Sequence, residues 1–478
     1  MKLTQDKLQT IIEETMALFD RAPSISATIW DGEAVTSAAR GFSNVDAGTL
    51  ASPDTLYCIG SSSKAFTTTA ICILVDQGKI GLDEPVRKYM PDLKMYDEAT
   101  SESITVRDIL CHRSGLPRYY LSLMLNPELT HSEMVRLIEG QQPKAPLRYR
   151  FGYSNYMFML AATLVERVSG DSFDSFVKTH ILDPLGMDST FIYADQIPDE
   201  DPRKSSPHEG RGERIKSIPR TSLRNSTGSG SIYSSTKDMI KWLQFQLHGD
   251  ENVISAESHA EMHRAQMLIK RGEIVPWDFP ETGLFAYGLG WFIQDYYDFT
   301  LYYHDGAVRG YRSMQLFVPK YDVAVSILTN CDATDLVFAL GYKLADLLLD
   351  LPEIDWTSRF KEECRVFVGT EEPLLQKLEA ERDGHNSQVT ASDYTGVYKN
   401  PTQGTMIIEE KDGELFANIE NNPSPLFHRK EDSFTFVVSE IGFHCDLTFK
   451  RNADGKVDSI VFITEPELPD VLYCFTRL

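Results

Sequence analysis

The period of the apolar positions changes along this chain, and each change marks a boundary between kinds of structure. Residues 1–21 carry apolar side chains at helical spacing among charges, which predicts an amphipathic helix. Residues 24–30 and 33–41 then read as extended segments on either side of Asp31-Gly32, a strong hairpin signal, so an antiparallel sheet begins here. From Ser61 to about Leu247 the pattern is mainly helical, with pieces predicted at 132–139, 156–169, 172–181 and 237–247. Strand character returns at 287–294, 300–303, 313–319 and 323–329, and 335–351 reads as a closing helix. This order predicts an α/β domain: an antiparallel sheet flanked by helices, built from both ends of the segment around a large helical insertion. Residues 352–390 are charged and polar and read as a linker carrying one helix. Beyond Tyr394, short strands separated by Lys411-Asp412-Gly413, Asn421-Asn422-Pro423 and Asn452-Ala453-Asp454-Gly455 predict a small all-β barrel or sandwich. The expected division is 1–352, 353–389 and 390–478.

Composition narrows the class. A chain of 478 residues exceeds one ordinary core, in keeping with two domains. No apolar run approaches the roughly 18 residues of a membrane helix, and the start lacks the form of a secretion signal. A cytoplasmic protein without a membrane partner is expected. The net charge of -23 opposes approach to nucleic acid or anionic lipid. Seven cysteines (Cys58, Cys72, Cys111, Cys331, Cys364, Cys445 and Cys474) are odd in number and dispersed, which predicts reduced core thiols.

Chemistry enters at Ser61-Ser62-Ser63-Lys64, where an extended segment ending in Gly60 turns into a helix. Residues three apart share a helix face, so the Lys64 amine reaches the Ser61 hydroxyl. Burial and the positive end of the helix both lower a lysine pKa, and a neutral amine takes the serine proton. In isolation the motif fits equally a helix-start serine with a solvent-facing lysine. Tyr153-Ser154-Asn155 falls on a loop before a helix. A tyrosine there serves as acid or base if a neighbouring ammonium lowers its pKa, and Asn155 orients lysine and substrate. The bland alternative is a half-buried tyrosine beside a helix cap. His304-Asp305-Gly306-Ala307 follows the extended 300–303, where a Gly-Ala step offers a backbone N–H that, with the Ser61 N–H, makes a two-donor oxyanion hole. Alone, His304 also fits a satisfied histidine at a strand end. His259 and His263 read as a solvated helix face, and 226–231, rich in Gly and Ser, as a flexible wall of the cleft.

Taken together and in order, these elements resemble the serine β-lactamase-like and penicillin-binding-protein-like hydrolases, in the class C-like branch that includes esterases and D-amino-acid peptidases. The resemblance covers about Met1 to Leu351 and extends through Tyr57–Thr67, Ile104–Leu116, Gly152–Asn155, Pro184–Met187 and Tyr287–Trp291. It implies Ser61 as acyl-forming nucleophile, Lys64 as its activating amine and Tyr153 as acid/base. It also implies Asn155 and His304 as substrate-orienting residues, and an oxyanion hole at Gly306-Ala307 and Ser61. The implied reaction is attack on an amide, ester or lactam carbonyl through a covalent acyl-enzyme, without metal or organic cofactor. His304 stands where lactamases usually carry a lysine, which weakens recognition of a substrate carboxylate and points to small-peptide amides, D-residues included. Arg309 is one candidate for the missing charge. Esterase or weak lactamase activity is the close alternative; a non-catalytic binding protein is the alternative of another class. Tyr394–Asn400 resembles the start of a lipocalin-like β-domain that, in family peptidases, borders the site or builds homo-oligomers.

Overall fold

The computed structural model describes residues 3–19, 22–209, 215–270, 279, 281–331, 335–360, 390–419, 422–438, 443–463, 468 and 471–478. The helix Gln5–Leu18 starts at Thr4, whose hydroxyl accepts the Lys7 N–H, and it buries Leu8, Ile11, Ile12 and Thr15 on one face. The hairpin forms as expected. Asp31 Oδ1 accepts the N–H groups of Glu33 and Ala34, Gly32 takes a φ of 85°, and Ser24–Trp30 pairs antiparallel with Val35–Asn44.

Both ends of the segment join one antiparallel sheet. Its order is Thr49–Leu50, Val35–Asn44, Ser24–Trp30, Val323–Thr329, Tyr311–Val318, Phe299–Val308, Phe292–Tyr296, Thr282–Tyr287, Met267–Leu268. Every residue of Val323–Thr329 is buried, as the central position with helices on both faces requires. Successive residues of a strand point to opposite faces, so Ile327 and Ser326 face different helices. Gly341 of Leu336–Leu348 packs on Met314 and Ile327, while Thr236 at the start of Thr236–His248 accepts a hydrogen bond from Thr28, the cross-strand partner of Ser326. The helical insertion, including Ser63–Asp76 and Asn155–Ser169, lies between the two groups of strands in sequence.

Two expectations at the sheet change. The strand predicted over 287–294 is two strands, Thr282–Tyr287 and Phe292–Tyr296, which pair antiparallel across a turn in which Gly290 has a φ of 84°. The strand predicted over 300–303 runs from Phe299 to Val308, so His304 to Ala307 lie inside it and not after it. Gly306 there marks a close approach of another backbone and not a break: a Cβ at this position would stand 1.9 Å from the Ile59 carbonyl oxygen. The helix predicted over 172–181 ends in a π turn, Phe173–Val177 passing into Lys178–Leu182.

The helix expected within the linker falls largely on residues 361–389, outside the described residues. The C-terminal strands form a nearly closed antiparallel barrel-like sheet of nine strands among the described residues, from Asn422–Pro425 at one edge to Phe427–Lys430 at the other. Tyr398, Phe436, Leu447, Phe449, Ile460 and Phe475 fill it. Leu121, Met124 and Leu125 of the front domain are buried in the same cluster. Hydrogen bonds seal that seam: Asn126 Nδ2 donates to the Gln403 carbonyl at 3.0 Å, and Gln403 Nε2 to Gln141 Oε1 at 2.5 Å. Cys58, Cys72, Cys111, Cys331 and Cys445 are free and buried and Cys474 is free and exposed; Cys364 lies outside the described residues. Among the described residues no helix is long and apolar enough to cross a membrane.

Candidate active site

Ser61 sits in the single 3-10 turn Gly60–Ser62 that leads into the helix Ser63–Asp76. The turn needs a glycine at its start, since Gly60 has a φ of 50° and a Cβ there would meet the Ala307 nitrogen at 2.9 Å. Hydrogen bonds stitch the turn to the sheet. Ser62 Oγ donates to the His304 carbonyl at 3.1 Å, and Ser313 Oγ to the Ile59 carbonyl at 2.7 Å. Pairing of Phe299–Val308 with Phe292–Tyr296 ends at Tyr303, so the stretch beyond it presents an edge to the Ser61 turn. A Cβ on Gly306 would stand 2.8 Å from the Ser61 nitrogen. The backbone nitrogens of Ser61 and Ala307 therefore come from two facing segments held at van der Waals distance, the arrangement expected of two oxyanion donors.

Lys64, one helical turn from Ser61, is fully buried. Its Nζ lies 3.0 Å from Ser61 Oγ, 2.9 Å from Asn155 Oδ1 and 2.8 Å from the Ser229 carbonyl. Burial drives its pKa well below the ordinary lysine value, the Arg118 charge adds to the fall, and Asp305 opposes it. A neutral amine has two N–H groups and one lone pair. Two of its neighbours are carbonyl oxygens that only accept, which leaves the lone pair for the Ser61 O–H.

Asn155 opens the helix Asn155–Ser169, and Tyr153 precedes it by two residues. Tyr153 is buried beside Ser61, with Lys64 Nζ 4.8 Å and the Arg118 guanidinium carbon 4.7 Å from its ring centroid. The lowered tyrosine pKa conceived from sequence does not arise. Burial raises it, outweighing the Arg118 charge and the Ser61 hydrogen bond, so Tyr153 stays a phenol. His112 stacks on the same ring at 4.2 Å between centroids, and its Nδ1 accepts the Ser154 N–H at 3.0 Å, fixing the turn that carries Tyr153.

His304 is buried, with Nδ1 2.6 Å from the Asp305 carbonyl and Nε2 2.9 Å from the Tyr287 hydroxyl. The carbonyl only accepts, so Nδ1 carries the hydrogen and Nε2 receives the Tyr287 O–H. Burial above all holds the ring pKa down to about 3. A neutral ring occupied on both nitrogens lends a substrate neither charge nor proton; it supports the floor of the site.

A cleft opens at Ser61, lined by Leu123, Met124, Asn155, Leu223, Tyr233, Ala307 and Arg309 among others. The stretch 226–231 does form its wall, but as buried and anchored chain: Thr67 Oγ1 donates to the Gly228 carbonyl at 2.7 Å and Lys64 to that of Ser229. His259 and His263 are not a solvated face; their rings touch, His263 Nε2 meets Gln246 Oε1 at 2.9 Å, and burial holds the His263 pKa to about 3.

Ser61, Lys64, Tyr153, Asn155, Gly306 and Ala307 thus converge at one place, with His304 behind them. Sequence reasoning singled out neither His112 nor Arg118, although both lie in or beside the stretch Ile104–Leu116. It also missed Tyr287 and the Ser229 carbonyl, whose contributions depend on long-range contacts without a local pattern.

Comparison with known proteins agrees with this geometry. The family model Beta-lactamase matches residues 8–349, and a domain of unknown function (DUF3471) matches 381–474. Among curated relatives, the unguisins hydrolase ungD' of Aspergillus campestris is 26% identical over 94% of this chain and 87% of its own length. Among solved structures, the octameric penicillin-binding protein homologue from Pyrococcus abyssi superposes with a TM-score of 0.62 at 23% identity, covering 99% of each chain. The D-amino acid amidase from Ochrobactrum anthropi SV3 superposes with a TM-score of 0.59 at 22% identity, over 72% of this chain and 96% of that one. With its family model spanning the whole front domain, this chain belongs to the Beta-lactamase family of serine hydrolases.

Proposed function

We propose that this protein cleaves amide bonds of small peptides, D-residue-containing ones included, through an acyl-enzyme on Ser61. The observation that carries the reading is the buried Lys64 amine 3.0 Å from Ser61 Oγ, with two carbonyl oxygens occupying its N–H groups. In acylation Lys64 takes the Ser61 proton as Oγ attacks the substrate carbonyl. The Ser61 and Ala307 amides receive the oxyanion. The departing nitrogen is protonated by Tyr153, which takes a proton in turn from the Lys64 ammonium, so that the proton lost by Ser61 ends on the leaving amine and Lys64 is neutral again. In deacylation water attacks the acyl carbonyl, its proton returns by the same route, and Ser61 leaves. The fold shared with a D-amino acid amidase and the relation to a hydrolase support amide cleavage. The octameric homologue, alike over the full length, supports homo-oligomerisation through the C-terminal β-domain, which light scattering tests. Free cysteines support a reducing, cytoplasmic setting.

The test is intact-protein mass after exposure to a fluorophosphonate and a penicillin, followed by turnover of matched D- and L-amino-acid amides, peptides and esters. An adduct on Ser61, absent from Ser61→Ala and Lys64→Ala, with amides turned over, is the expected result. Folded protein with no adduct overturns the reading; turnover of esters alone moves it to esterase.

A further inference from the structure

His112 is buried, has the left-handed backbone that few residues other than glycine adopt, and takes no part in the steps described above. It follows the helix Val106–Leu110 and its φ is 57°. Backbone of this kind persists where the surroundings over-determine it, and such positions cluster at functional sites. Here the surroundings are the turn that carries Tyr153. The His112 carbonyl accepts the Gly152 N–H at 2.8 Å, and its Nδ1 accepts the Ser154 N–H at 3.0 Å. One residue thus holds the neighbours of Tyr153 on both sides.

The ring adds a third hold. It stacks on the Tyr153 ring at 4.2 Å between centroids and 30° between planes, with Phe151, Phe158 and Tyr287 around it at 5.5, 5.1 and 4.7 Å. Because Nδ1 accepts, the hydrogen of the neutral ring is on Nε2, which is buried without a hydrogen-bond partner among the described residues. Burial above all holds the ring pKa well below the ordinary histidine value, so the acceptor on Nδ1 stays available. A phenylalanine would fill this apolar surround with no buried donor left over. What phenylalanine lacks is an acceptor in the plane of the ring, which lets the face lie on Tyr153 while the edge holds the next N–H. Ser61 and Lys64 are held by other contacts. Lys64 Nζ rests on Asn155 Oδ1 and the Ser229 carbonyl, Asn155 belongs to the buried helix Asn155–Ser169, and the Ser61 turn is tied to the sheet through Ser62 and Ser313. None of these bonds involves His112.

We propose that His112 is the positioning residue for Tyr153: without touching substrate, it sets where the phenol stands and so how well the leaving group is protonated. This rests on the acyl-enzyme reading above and names the residue on which its proton-donating half depends. A departing amine or alkoxide of high pKa needs that proton, whereas p-nitrophenolate and fluoride leave without it. Loss of His112 therefore falls on poor leaving groups and spares good ones.

The test uses the full-length protein and one acyl group joined to a graded series of leaving groups: p-nitrophenol, phenol, ethanol and an amine. The readouts are kcat/KM, which in an acyl-enzyme reaction reports acylation alone, and the rate of fluorophosphonate labelling of Ser61. His112→Leu removes the acceptor. It is expected to slow the amide about 10²-fold, the cost of misplacing a reacting group by about 1 Å, and to leave the p-nitrophenyl ester and Ser61 labelling within about threefold of wild type. His112→Asn keeps an acceptor at the place of Nδ1 on a residue that tolerates left-handed backbone, and is expected to restore most of the amide rate. In a Tyr153→Phe background, with no phenol to place, His112→Leu is expected to change nothing further. Should His112→Leu not fold, His112→Gln, whose acceptor is displaced by one methylene, takes its place with the same expectations. Where esters are turned over and amides are not, the steepening from p-nitrophenyl to ethyl ester decides the point. Equal slowing across the series, a loss that persists in the Tyr153→Phe background, or His112→Asn as slow as His112→Leu overturns the proposal. Ser61 that labels normally while the His112 variants keep the wild-type dependence on leaving group refutes the His112 assignment alone; folded protein whose Ser61 never labels refutes the acyl-enzyme reading with it.

Discussion

Gly306→Ala is a demanding test of the site geometry, because one methyl group is set against the spacing of the Ser61 and Ala307 amides proposed as oxyanion donors. Its Cβ would stand 1.9 Å from the Ile59 carbonyl oxygen, 2.7 Å from Ser313 Oγ and 2.8 Å from the Ser61 nitrogen. Cβ contacts under 3.0 Å are essentially never found, so the strand edge and the Ser61 turn must separate by at least 1.1 Å. Two of the three obstacles are backbone atoms in a segment held by Ser62 and Ser313, so no side chain can simply rotate away. A 1 Å misplacement of reacting groups costs about 10²-fold, and loss of one oxyanion donor about 10²–10³-fold. Overpacking of this kind costs about 1–3 kcal/mol of stability, small enough for the variant to fold. The measurements are the second-order rate of fluorophosphonate labelling of Ser61 and the denaturant midpoint. Expected are a labelling rate lower by about 10²–10³-fold and a modest drop in midpoint. A folded variant that labels within about threefold of wild type would refute the placement of the Ser61 and Ala307 amides as the oxyanion hole.

Three further outcomes are expected. Labelling of Ser61 should rise with pH as Lys64 loses its proton, with a half-rise well below 10.5, and show no descending limb below pH 10 because Tyr153 remains a phenol; a half-rise at the ordinary lysine value would contradict Lys64 as base. His304 is held neutral down to about 3 while the unfolded chain protonates it near 6.5, so its contribution to stability is present above pH 6.5 and lost as pH falls from there toward 3. His304→Gln should therefore flatten, though not abolish, the acid-side loss measured by urea titration, since His112 and His263 are depressed in the same sense; an unchanged slope would count against it. Asp108 is fully buried and accepts from Arg148, Arg113, the Thr105 N–H and the Thr105 hydroxyl. Asp108→Ala leaves two guanidinium groups without their acceptor and should cost about 3 kcal/mol, near the low end for a broken buried pair because Arg148 is half exposed; a loss under about 0.5 kcal/mol, the size of a surface change, would show that the pair carries no weight.

Much of the site was legible in the sequence because its parts are local. Ser61 and Lys64 share one helix turn, and Tyr153 and Asn155 one loop-to-helix entry, so their pairwise geometry follows from backbone rules over a few residues. The hairpin at Asp31-Gly32 and the helix Asn155–Ser169 were equally local. The end of the strand was placed too early, at Tyr303, for the opposite reason: what Gly306 does there depends on the Ile59 carbonyl, far away in the chain. Gly306, without a Cβ, lets the strand pass the Ser61 turn. The double strand around Gly288-Leu289-Gly290 was merged into one because apolar residues continue through the turn.

The sequence by itself determined the order of elements, the division into an α/β front and an all-β tail, and the residue types able to perform acyl transfer, since period, turn chemistry and short-range spacing act along the chain. Protonation and charge balance were decided only by the tertiary structure. Burial keeps Tyr153 a phenol where a nearby ammonium suggested otherwise, two engaged ring nitrogens make His304 a support, and the Arg118 guanidinium is brought against the Tyr153 ring. Desolvation and pairing depend on what surrounds a group in three dimensions, and those neighbours come from strands and loops that no local pattern brings together.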